Sequence, residues 1–570
     1  MEIDIEKPTA GGVWVSRLEQ LVTLEIALYA VALLLGVAMR LLLLDARPLS
    51  VEEGNLAMEA FNLAMAQPVD AIQQGPLLAF GTALSLMLFG GGDAAARLLP
   101  VISGSALVAV PYLLRQSIGR TVALVAAYGI ALSPLALFAS RDLGAGMISL
   151  SLGGFLLAAL IRGLKDANKA QAYGVAALLA GLVTSGTEGI TVLLTLSIAA
   201  ILAHPQPALL LSNLRSAAGS PLWRRAAIVF AAMVLILSTC MGTRLGGVQW
   251  VLGDVWVNWA TSFSLSAPRG GLLALLALYE MPVLFLGIAQ LIRTMFRRQH
   301  IDMLLSLWLM LLLLLGMVQQ AHTVSRLILP TLPLYLLAAR LICDISTVTR
   351  YAGHSWKWAT ACTIVAVPIA VAIVLLNRAS TPGMEIPSPF LYGEAILVIL
   401  AVATILFALQ GKERLALGWY ALAVLSVGFI VHTTVFLNYR METIGQEPVV
   451  GTQITPSLRD AAKEAAYYSR YYSQTITVDP DIRNATRWYL REAPNVRYSL
   501  DVSDGISFEL IRTGQTVLEP GSERRAGFLV PGIDSRNMSW RGLWRWLITR
   551  DGLVRANQRD IIVRSPSGNW

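Results

Sequence analysis

Long apolar stretches recur along the chain, and shorter polar segments separate them. The clearest stretches cover residues 21–44, 272–292, 304–318 and 395–409. About 20 apolar residues in a helix cross the hydrocarbon core of a bilayer. A helix is favoured there because lipid offers the backbone no hydrogen-bond partner. The pattern therefore predicts an all-α polytopic membrane protein.

Six of the polar segments are rich in arginine and lysine. They cover residues 115–120, 162–169, 215–225, 293–298, 340–357 and 412–414. The positive-inside rule places all six on the cytoplasmic side of the plasma membrane. This threading is self-consistent only if residues 76–89, which are few for a span, form a juxtamembrane or re-entrant helix. We expect about 13 spans, a cytoplasmic N-terminus and an extracytoplasmic C-terminus.

The apolar stretches end at residue 437, and the composition then becomes rich in Arg, Asp, Glu and Tyr. Apolar residues at helical spacing predict an amphipathic helix over residues 458–472. Short segments typical of strands follow at residues 474–479, 497–502, 506–511 and 526–531. We therefore expect a transmembrane domain over residues 1–437 and a small soluble, extracytoplasmic α/β domain over residues 438–570. Within the latter, residues 540–553 interleave Trp with Arg, which fits either a helix at the membrane interface or one packed on the domain core.

Composition supports the membrane assignment and excludes some functional classes. The 570 residues are 55% hydrophobic and 14% charged, with a mean hydropathy of +0.62, whereas about 25% of residues are charged in average soluble domains. The net charge of +8 reflects basic loops, so we predict no nucleic-acid partner. The three cysteines all lie in apolar segments, which is typical of small buried residues and not of a disulfide framework. The sequence contains no Walker or Rossmann motif, so a nucleotide-driven cytosolic mechanism is unsupported.

Charged residues from separated segments fall at the predicted outer edge of the membrane. Such residues are costly near hydrocarbon and are functional candidates for that reason. The first outer loop, residues 45–75, carries the adjacent acids Glu52 and Glu53, and later tips carry Arg141, Asp142, Glu188, His322 and Arg326. Acids there can accept a proton or hold a divalent cation, and arginines can bind phosphate. Taken singly, each is more typical of a solvated loop tip, so the prediction depends on their convergence.

Four stretches of sequence, taken in order, resemble segments of one class of polytopic enzymes. They are RPLSVEEGNLAMEA, QQGPLLAFGTALSLMLFGGGDAAARLLPVISGSALV, GLVTSGTEGITVLL and HTVSRLILPTLPLYLLAARL. The class is the GT-C glycosyltransferases, and the nearest resemblance is to the protein O-mannosyltransferase and aminoarabinose-transferase superfamily (glycosyltransferase 39-like). Within it, the chain is similar to a prokaryotic group associated with flippase activity in glycoprotein biosynthesis. GQEPVVGTQITPSLRDA resembles a segment of that group after the last span.

The resemblance implies an inverting glycosyltransferase at the outer face of the membrane. The donor would be a sugar on a polyprenyl phosphate, and the acceptor a protein, lipid or glycan. Glu52 stands where the family has its catalytic Asp, and Glu53 matches the Glu beside it. The resemblance and the threading together assign the donor phosphate to Arg326, Arg141 and His322, with Asp142, Glu188 and Gln74 in support. The cofactor is not fixed by the sequence, and a divalent cation fits such a site.

Three positions depart from the family pattern. Glu52 is one methylene longer than Asp, Gln74 replaces a charged or His residue, and Thr187 replaces Lys. These changes leave open an alternative function, in which a non-catalytic membrane protein binds or helps translocate a lipid-linked glycan. A transporter is a third reading, but it usually places ionisable residues near the bilayer midplane and shows repeated halves.

Overall fold

A computed structural model describes most of the chain, and the statements below concern that part. The described residues are 24–67, 74–163, 169–207, 220–263, 271–296, 300–319, 324–350, 412–440, 447–499, 507–512, 523–533 and 554–564. The predicted span at 395–409 and the Trp/Arg segment at 540–553 lie outside the described residues.

Helices make up most of the described chain. In order, they are Leu24–Leu41, Val51–Ala64, Pro76–Phe89, Asp93–Ala96, Leu98–Leu107, Val110–Ile118, Arg120–Leu132, Pro134–Ser140, Ala145–Gly163, Lys169–Ser185, Thr187–Ala203, Pro221–Ser238, Gly246–Gln249, the π-helical Trp250–Asp254, Val255–Thr261, Gly271–Phe296, His300–Val318, Val324–Leu327, Thr331–Arg350, Lys412–Tyr439, Pro456–Tyr472, the 3₁₀ turn Pro480–Ile482, and Arg483–Thr486.

Seven helical segments of the described chain are long and apolar enough to cross a membrane. They are Leu24–Leu41, Leu98–Ile118, Ala145–Arg162, Pro221–Ser238, Gly271–Phe296, His300–Val318 and Val324–Ile345. The bent pair Arg120–Leu132 and Pro134–Ser140 makes an eighth if it is one span. The chain is therefore a multi-pass membrane protein. The predicted total of about 13 spans and the predicted orientation are not tested by the described residues.

The segment that the sequence set apart as too short for a span is a helix, Pro76–Phe89, of 14 residues. Its start follows from Gly75 and Pro76, because proline at the first helical position needs no hydrogen-bond acceptor for its nitrogen. Two helices of 17 residues each, Lys169–Ser185 and Thr187–Ala203, come later in the chain. That Pro76–Phe89 is a juxtamembrane or re-entrant helix stays a prediction.

The acidic pair opens the helix Val51–Ala64, and one of the two acids belongs to its cap. The Ser50 hydroxyl accepts a hydrogen bond from the Glu53 amide at 3.1 Å, and the Glu53 carboxylate accepts one from the Ser50 amide at 2.9 Å. This reciprocal capping box satisfies amide groups that the first turn of a helix leaves unpaired. The sequence Ser-Val-Glu-Glu thus fixes where the helix begins and which way Glu53 turns.

Two of the membrane segments in the described chain have breaks that prolines explain. Arg120–Leu132 and Pro134–Ser140 meet at an angle of 58°, because Pro134 cannot donate the hydrogen bond that would continue the helix. In Gly271–Phe296 the backbone of Glu280 leaves helical geometry, two residues before Pro282. The proline ring displaces the preceding turn and produces the kink.

A six-stranded sheet lies in the C-terminal part of the chain. Its strands are β1 Gln453–Ile454, β2 Thr475–Val478, β3 Val496–Tyr498, β4 Ser507–Arg512, β5 Glu523–Ile533 and β6 Val554–Arg564. The strand order is β1-β5-β6-β4-β2-β3, with β2 parallel to β3 and β4 and the other pairs antiparallel. The predicted helix at 458–472 and the strands predicted at 474–479, 497–502, 506–511 and 526–531 fall on these elements. The predicted domain boundary at 437 stays a prediction.

One apolar core joins the C-terminal helix and sheet to the first outer loop. Leu458, Ile476 and Trp488 are buried in the same cluster as Leu49 and Leu56. Hydrogen bonds add to this contact, because the Tyr489 hydroxyl accepts from the Leu49 amide at 2.8 Å and donates to Asp93 at 3.0 Å. The loop that carries the acidic pair is therefore held against the C-terminal part of the chain.

Candidate functional site

A cavity of about 70 Å³ lies where five separate segments of the chain meet. Its lining residues are Arg47, Ser50, Glu52, Glu53, Leu56, Gln74, Phe138, Asp142, Leu143, Val324, Ser325, Val449, Val450, Gly451 and Gln453. Four of the sequence-predicted site residues thus line one cavity: Glu52, Glu53, Gln74 and Asp142. The convergence that the predicted threading required is present for these four.

Glu53 is enclosed in the wall of this cavity, with 1% of its surface exposed. Arg97 donates to both of its carboxylate oxygens, from Nε and from a terminal nitrogen, and each distance is 2.7 Å. The Leu143 amide adds a third donor at 2.9 Å, and a guanidinium nitrogen of Arg47 lies 3.4 Å away. Both carboxylate oxygens of Glu53 therefore already accept hydrogen bonds from protein donors.

The electrostatics of Glu53 agree with this geometry. Burial alone raises the pKa of a carboxyl, but Arg97 and Arg47 outweigh it and lower the pKa of Glu53 to about 2. A carboxylate with so low a pKa is a poor proton acceptor near neutral pH. What Glu53 does in the described structure is join the start of Val51–Ala64 to Arg97 and to the Leu143 amide.

Glu52, the other member of the pair, is exposed and lines the cavity. Its carboxylate lies opposite the backbone of Gly451, since a Cβ at Gly451 would stand 3.7 Å from Oε2. That backbone is fixed near the helix start by the hydrogen bond from the Val51 amide to the Thr452 carbonyl, at 3.0 Å. Glu52 is therefore the acid of the pair that a ligand in the cavity can reach.

Asp142 faces the same cavity from the turn after Pro134–Ser140. One of its oxygens lies 3.3 Å from Arg47, and 20% of its side chain remains exposed. Burial raises the pKa of Asp142 to about 7, and the nearby Glu53 carboxylate adds to this while Arg47 opposes it. A carboxyl with a pKa near the working pH can both take up and release a proton.

Arg47 is the cationic side chain that lines the cavity among the described residues. Its guanidinium contacts Glu53 and Asp142, donates to the Arg141 carbonyl at 2.9 Å, and lies over the Phe138 ring at 4.8 Å from the centroid. The positive charge is thus held in place at the wall between two acids. Arg47 belongs to the predicted first outer loop, residues 45–75, and is one of the charged residues expected at the outer edge of the membrane.

Arg326 and Glu188 form an ion pair beside the cavity, with a nitrogen–oxygen distance of 3.7 Å. The pair is close to the lining because Ser325 precedes Arg326, and because the turn before Glu188 abuts Gln74. Gln74 accepts a hydrogen bond from the Ala145 amide at 3.0 Å, which directs its side chain toward the Asp142 turn. The structure therefore brings these predicted residues together at one side of the cavity.

Arg141, one of the predicted phosphate-binding residues, does not line the cavity. The Arg141 guanidinium turns to the end of the first span, donating to the carbonyls of Met39 and Leu43 at 3.3 and 2.9 Å, and it lies over the Tyr439 ring. His322 lies outside the described residues. The phosphate roles of Arg141 and His322 stay predictions, and Arg141 is positioned to hold the first span against Pro134–Ser140.

Sequence reasoning missed Arg97, which decides the state of Glu53. The residue stands in an apolar segment that the family resemblance marks by its Ala-Arg-Leu-Leu-Pro run, and it is fully buried. A buried arginine requires an acid or carbonyl groups as partners. That requirement was the available signal, but sequence alone did not say which of two adjacent acids supplies the partner.

A divalent cation was a possible cofactor from the sequence. Among the described residues, no three His, Cys, Asp or Glu side chains group together as a ligand set. Glu52 and Asp142 line the cavity together, and one or two carboxylates with substrate phosphates are a common set for Mg²⁺. The cation requirement stays a prediction.

No protein-family model matches the sequence, and no curated protein matches it. Solved structures do. ArnT from Cupriavidus metallidurans bound to undecaprenyl phosphate aligns with a TM-score of 0.56 and 15% identity over 99% of this chain and 100% of that chain. Apo ArnT aligns with a TM-score of 0.51 and 16% identity over the same shares. The apo oligosaccharyltransferase of Archaeoglobus fulgidus aligns with a TM-score of 0.47 and 13% identity over 83% of this chain and 64% of that chain.

The two ArnT alignments run over almost the whole length of both chains, so the likeness includes the membrane helices and the C-terminal part. At such low identities a structural likeness establishes the fold and not the activity. The chain therefore has the same overall fold as ArnT.

Proposed function

We propose that this chain is an inverting glycosyltransferase, which moves a sugar from a polyprenyl-phosphate donor to an acceptor at the outer face of the membrane. The observation that carries the proposal is that Glu52 and Asp142, from separate segments, line one cavity beside Arg47 in this fold. ArnT, which shares the fold, was solved with undecaprenyl phosphate bound. That structure supports a lipid phosphate as the donor carrier.

Asp142 is the proton acceptor in this proposal. Its raised pKa of about 7 suits a general base at neutral pH, and its side chain is open to the cavity. The acceptor hydroxyl loses its proton to Asp142 as its oxygen bonds to the anomeric carbon. The bond from that carbon to the phosphate oxygen breaks, and attack opposite the leaving phosphate inverts the configuration. Glu52 holds the acceptor hydroxyl in line, which matters because small errors of alignment slow such reactions strongly.

The departing lipid phosphate needs positive charge nearby, since negative charge builds on its oxygens. Arg47 lines the cavity and is fixed by its contacts, so it can stabilise that charge without reorganising. Arg326, beside the cavity, is the second cation in the proposal. Arginine suits the task because its planar nitrogens can donate two parallel hydrogen bonds to phosphate.

One observation favours the alternative, in which the protein binds or helps translocate a lipid-linked glycan without transferring it. The two arginines in the proposed phosphate site are already paired, Arg47 with Glu53 and Asp142, and Arg326 with Glu188. A donor phosphate must therefore compete with carboxylates for both. Such competition permits binding and release, but it weakens the charge stabilisation that transfer requires.

Turnover separates the two functions. We would place the protein in lipid nanodiscs with a panel of polyprenyl-phosphate sugars and candidate acceptors, and follow release of free polyprenyl phosphate. The set is wild type, Glu52→Gln and Asp142→Asn, with Asp45→Asn as a control for losing an exposed acid of the same loop. Release by wild type and Asp45→Asn that Asp142→Asn loses supports the transferase, and parallel runs with EDTA or Mg²⁺ test the cation. Donor binding without release from any donor favours the alternative.

A further inference from the structure

The two broken helices meet at their breaks, through a buried carboxyl group in the membrane region. Glu280, which is fully buried, stands at the kink of Gly271–Phe296. One of its oxygens accepts from the Ser133 hydroxyl at 2.6 Å and lies 3.3 Å from the Leu135 amide. The other accepts from the Tyr335 hydroxyl at 2.5 Å. Three donors from two other helical segments thus converge on one side chain.

Burying the Glu280 carboxyl group in the membrane region costs free energy, so we expect it to have a structural role. An unpaired polar group in hydrocarbon is destabilising, so a buried acid requires its hydrogen-bond partners. Here the partners are the Ser133 and Tyr335 hydroxyls and the Leu135 amide. The Leu135 amide lies in the first turn of Pro134–Ser140, where amides have no acceptor within the helix. Glu280 therefore fixes the position at which the short helix begins.

The short helix leads directly into the proposed reaction site. Phe138, near its end, lines the cavity, and Asp142 follows two residues after Ser140. A shift of the helix start would move Phe138 and Asp142 together, since seven helical residues behave as one rigid piece. The contact at Glu280 is thus mechanically connected to the proposed base.

The neighbour of Glu280 reaches the opposite wall of the cavity. Tyr279 is fully buried, and its hydroxyl donates to Glu447 at 2.7 Å. Val450 and Gly451, which follow Glu447 by three and four residues, line the cavity, and Gly451 lies opposite Glu52. Adjacent residues of one kink therefore hold two walls of the same cavity.

We propose that the kink at Tyr279 and Glu280 is a positioning element for the site. Glu280 sets the place of Asp142 through Ser133 and the short helix, and Tyr279 sets the wall facing Glu52 through Glu447. The proposal rests on the proposed function where it concerns catalysis. The positional part stands on the contacts alone and can be tested without turnover.

Three tyrosine-to-phenylalanine variants test it, each of which removes one buried or partly buried hydroxyl. Tyr335→Phe removes a donor to Glu280, and Tyr279→Phe removes the donor to Glu447. Tyr128→Phe is the matched control, because its hydroxyl bonds the Leu28 carbonyl at 3.1 Å and not Glu280 or Glu447. The readouts are kcat, KM and the pH titration of the Asp142 carboxyl band by infrared difference spectroscopy in nanodiscs. The band is identified by its loss in Asp142→Asn.

We expect Tyr335→Phe to lower the midpoint of the Asp142 titration toward that of an ordinary carboxyl, as the turn relaxes toward solvent, and to lower kcat about tenfold with little change in KM. Tyr279→Phe should lower kcat and leave the midpoint in place, and Tyr128→Phe should resemble wild type. A Tyr335→Phe midpoint equal to that of Tyr128→Phe would overturn the inference. A shifted midpoint in a protein without turnover would support the positioning element and count against the transferase instead.

Discussion

Arg97 holds both oxygens of Glu53 at 2.7 Å and so separates two adjacent acids into different roles. Glu53 is turned inward, capped to Ser50 and saturated with donors, whereas Glu52 is turned to the cavity. The paired acid is thus one support and one accessible carboxylate. The same geometry brings Asp142 against Arg47 at the edge of the Glu53 cluster.

Glu53→Gln is expected to destabilise the protein strongly, and Glu52→Gln is not. Removing the Glu53 charge leaves the buried Arg97 without its carboxylate partner and leaves Arg47 with Asp142 alone. Breaking a buried pair in this way costs about 3–5 kcal/mol. Exposed substitutions away from such contacts stay within about 0.5 kcal/mol. Unfolding in mixed micelles, followed by tryptophan fluorescence, measures both variants. Equal losses for the two would contradict the division of the pair into a support and an accessible acid.

Acid should weaken the folded state through the same residue. The folded pKa of Glu53, about 2, lies below the ordinary value of 4.5, so its contribution to stability is present above pH 4.5 and is lost as pH falls toward 2. Unfolding midpoints measured across this range should fall for wild type. The decline should be shallower in Glu53→Gln, which has no carboxyl at this position to protonate, and an identical decline would refute the assignment.

Turnover should rise with pH as Asp142 loses its proton, with a midpoint of about 7. The sign follows from the role, because only the carboxylate can accept a proton from the acceptor. Asp142→Asn should remove this limb of the pH profile and lower kcat by about 10²–10⁴-fold, which is typical for the loss of a general base. Glu52→Gln should lower kcat but keep the limb. If turnover of Asp142→Asn still rose with pH around 7, the titrating group would be another residue.

Much of the architecture could be predicted from hydrophobic pattern, because helix length and apolar period follow from the bilayer and the backbone. The spans at 271–296 and 300–318 and the helix Pro76–Phe89 are examples. The placing of Glu52, Gln74 and Asp142 at one cavity could also be predicted, since it needs only the order of segments at one membrane edge.

The partners within the site could not be predicted, because they depend on contacts between distant segments. Glu53 and Arg97 are 44 residues apart, and nothing local distinguishes Glu53 from Glu52 except the capping spacing from Ser50. The use of Arg141 to hold the first span depends in the same way on carbonyls that a helix end leaves open. Local pattern fixes elements, whereas the state of an ionisable group is set by what packs against it.

Arg326→Gln should mainly affect donor binding, whereas Arg141→Gln should mainly affect stability. Arg326 lies beside the cavity in an ion pair with Glu188, so its loss should raise the KM for a polyprenyl-phosphate donor about tenfold, the scale of one charged hydrogen bond. Arg141 bonds the carbonyls of Met39 and Leu43, so its loss should lower the unfolding midpoint more than it raises KM. Donor titrations and thermal unfolding in nanodiscs measure the two effects. If Arg141→Gln raised KM more than Arg326→Gln does, Arg141 would be the residue that binds the donor phosphate.

Gly146→Ala is expected to disrupt the site through the backbone. A Cβ at Gly146 would overlap the Ser325 carbonyl oxygen, and that oxygen belongs to the segment carrying Arg326. Backbone cannot move aside as a side-chain tip can, so Ala145–Gly163 and Val324–Leu327 must separate at the edge of the cavity. We expect a fall in both turnover and unfolding midpoint.

Gly174→Ala supplies the matched control, because Gly174 is also helical and a Cβ there meets nothing within 4 Å. Alanine is the better helix former by about 1 kcal/mol, so this variant should be as stable as wild type or slightly more so, with turnover retained. Thermal unfolding and turnover of the two variants side by side separate contact from helix propensity. If Gly146→Ala gained stability as Gly174→Ala does, the close approach of the two backbones at the cavity edge would be refuted.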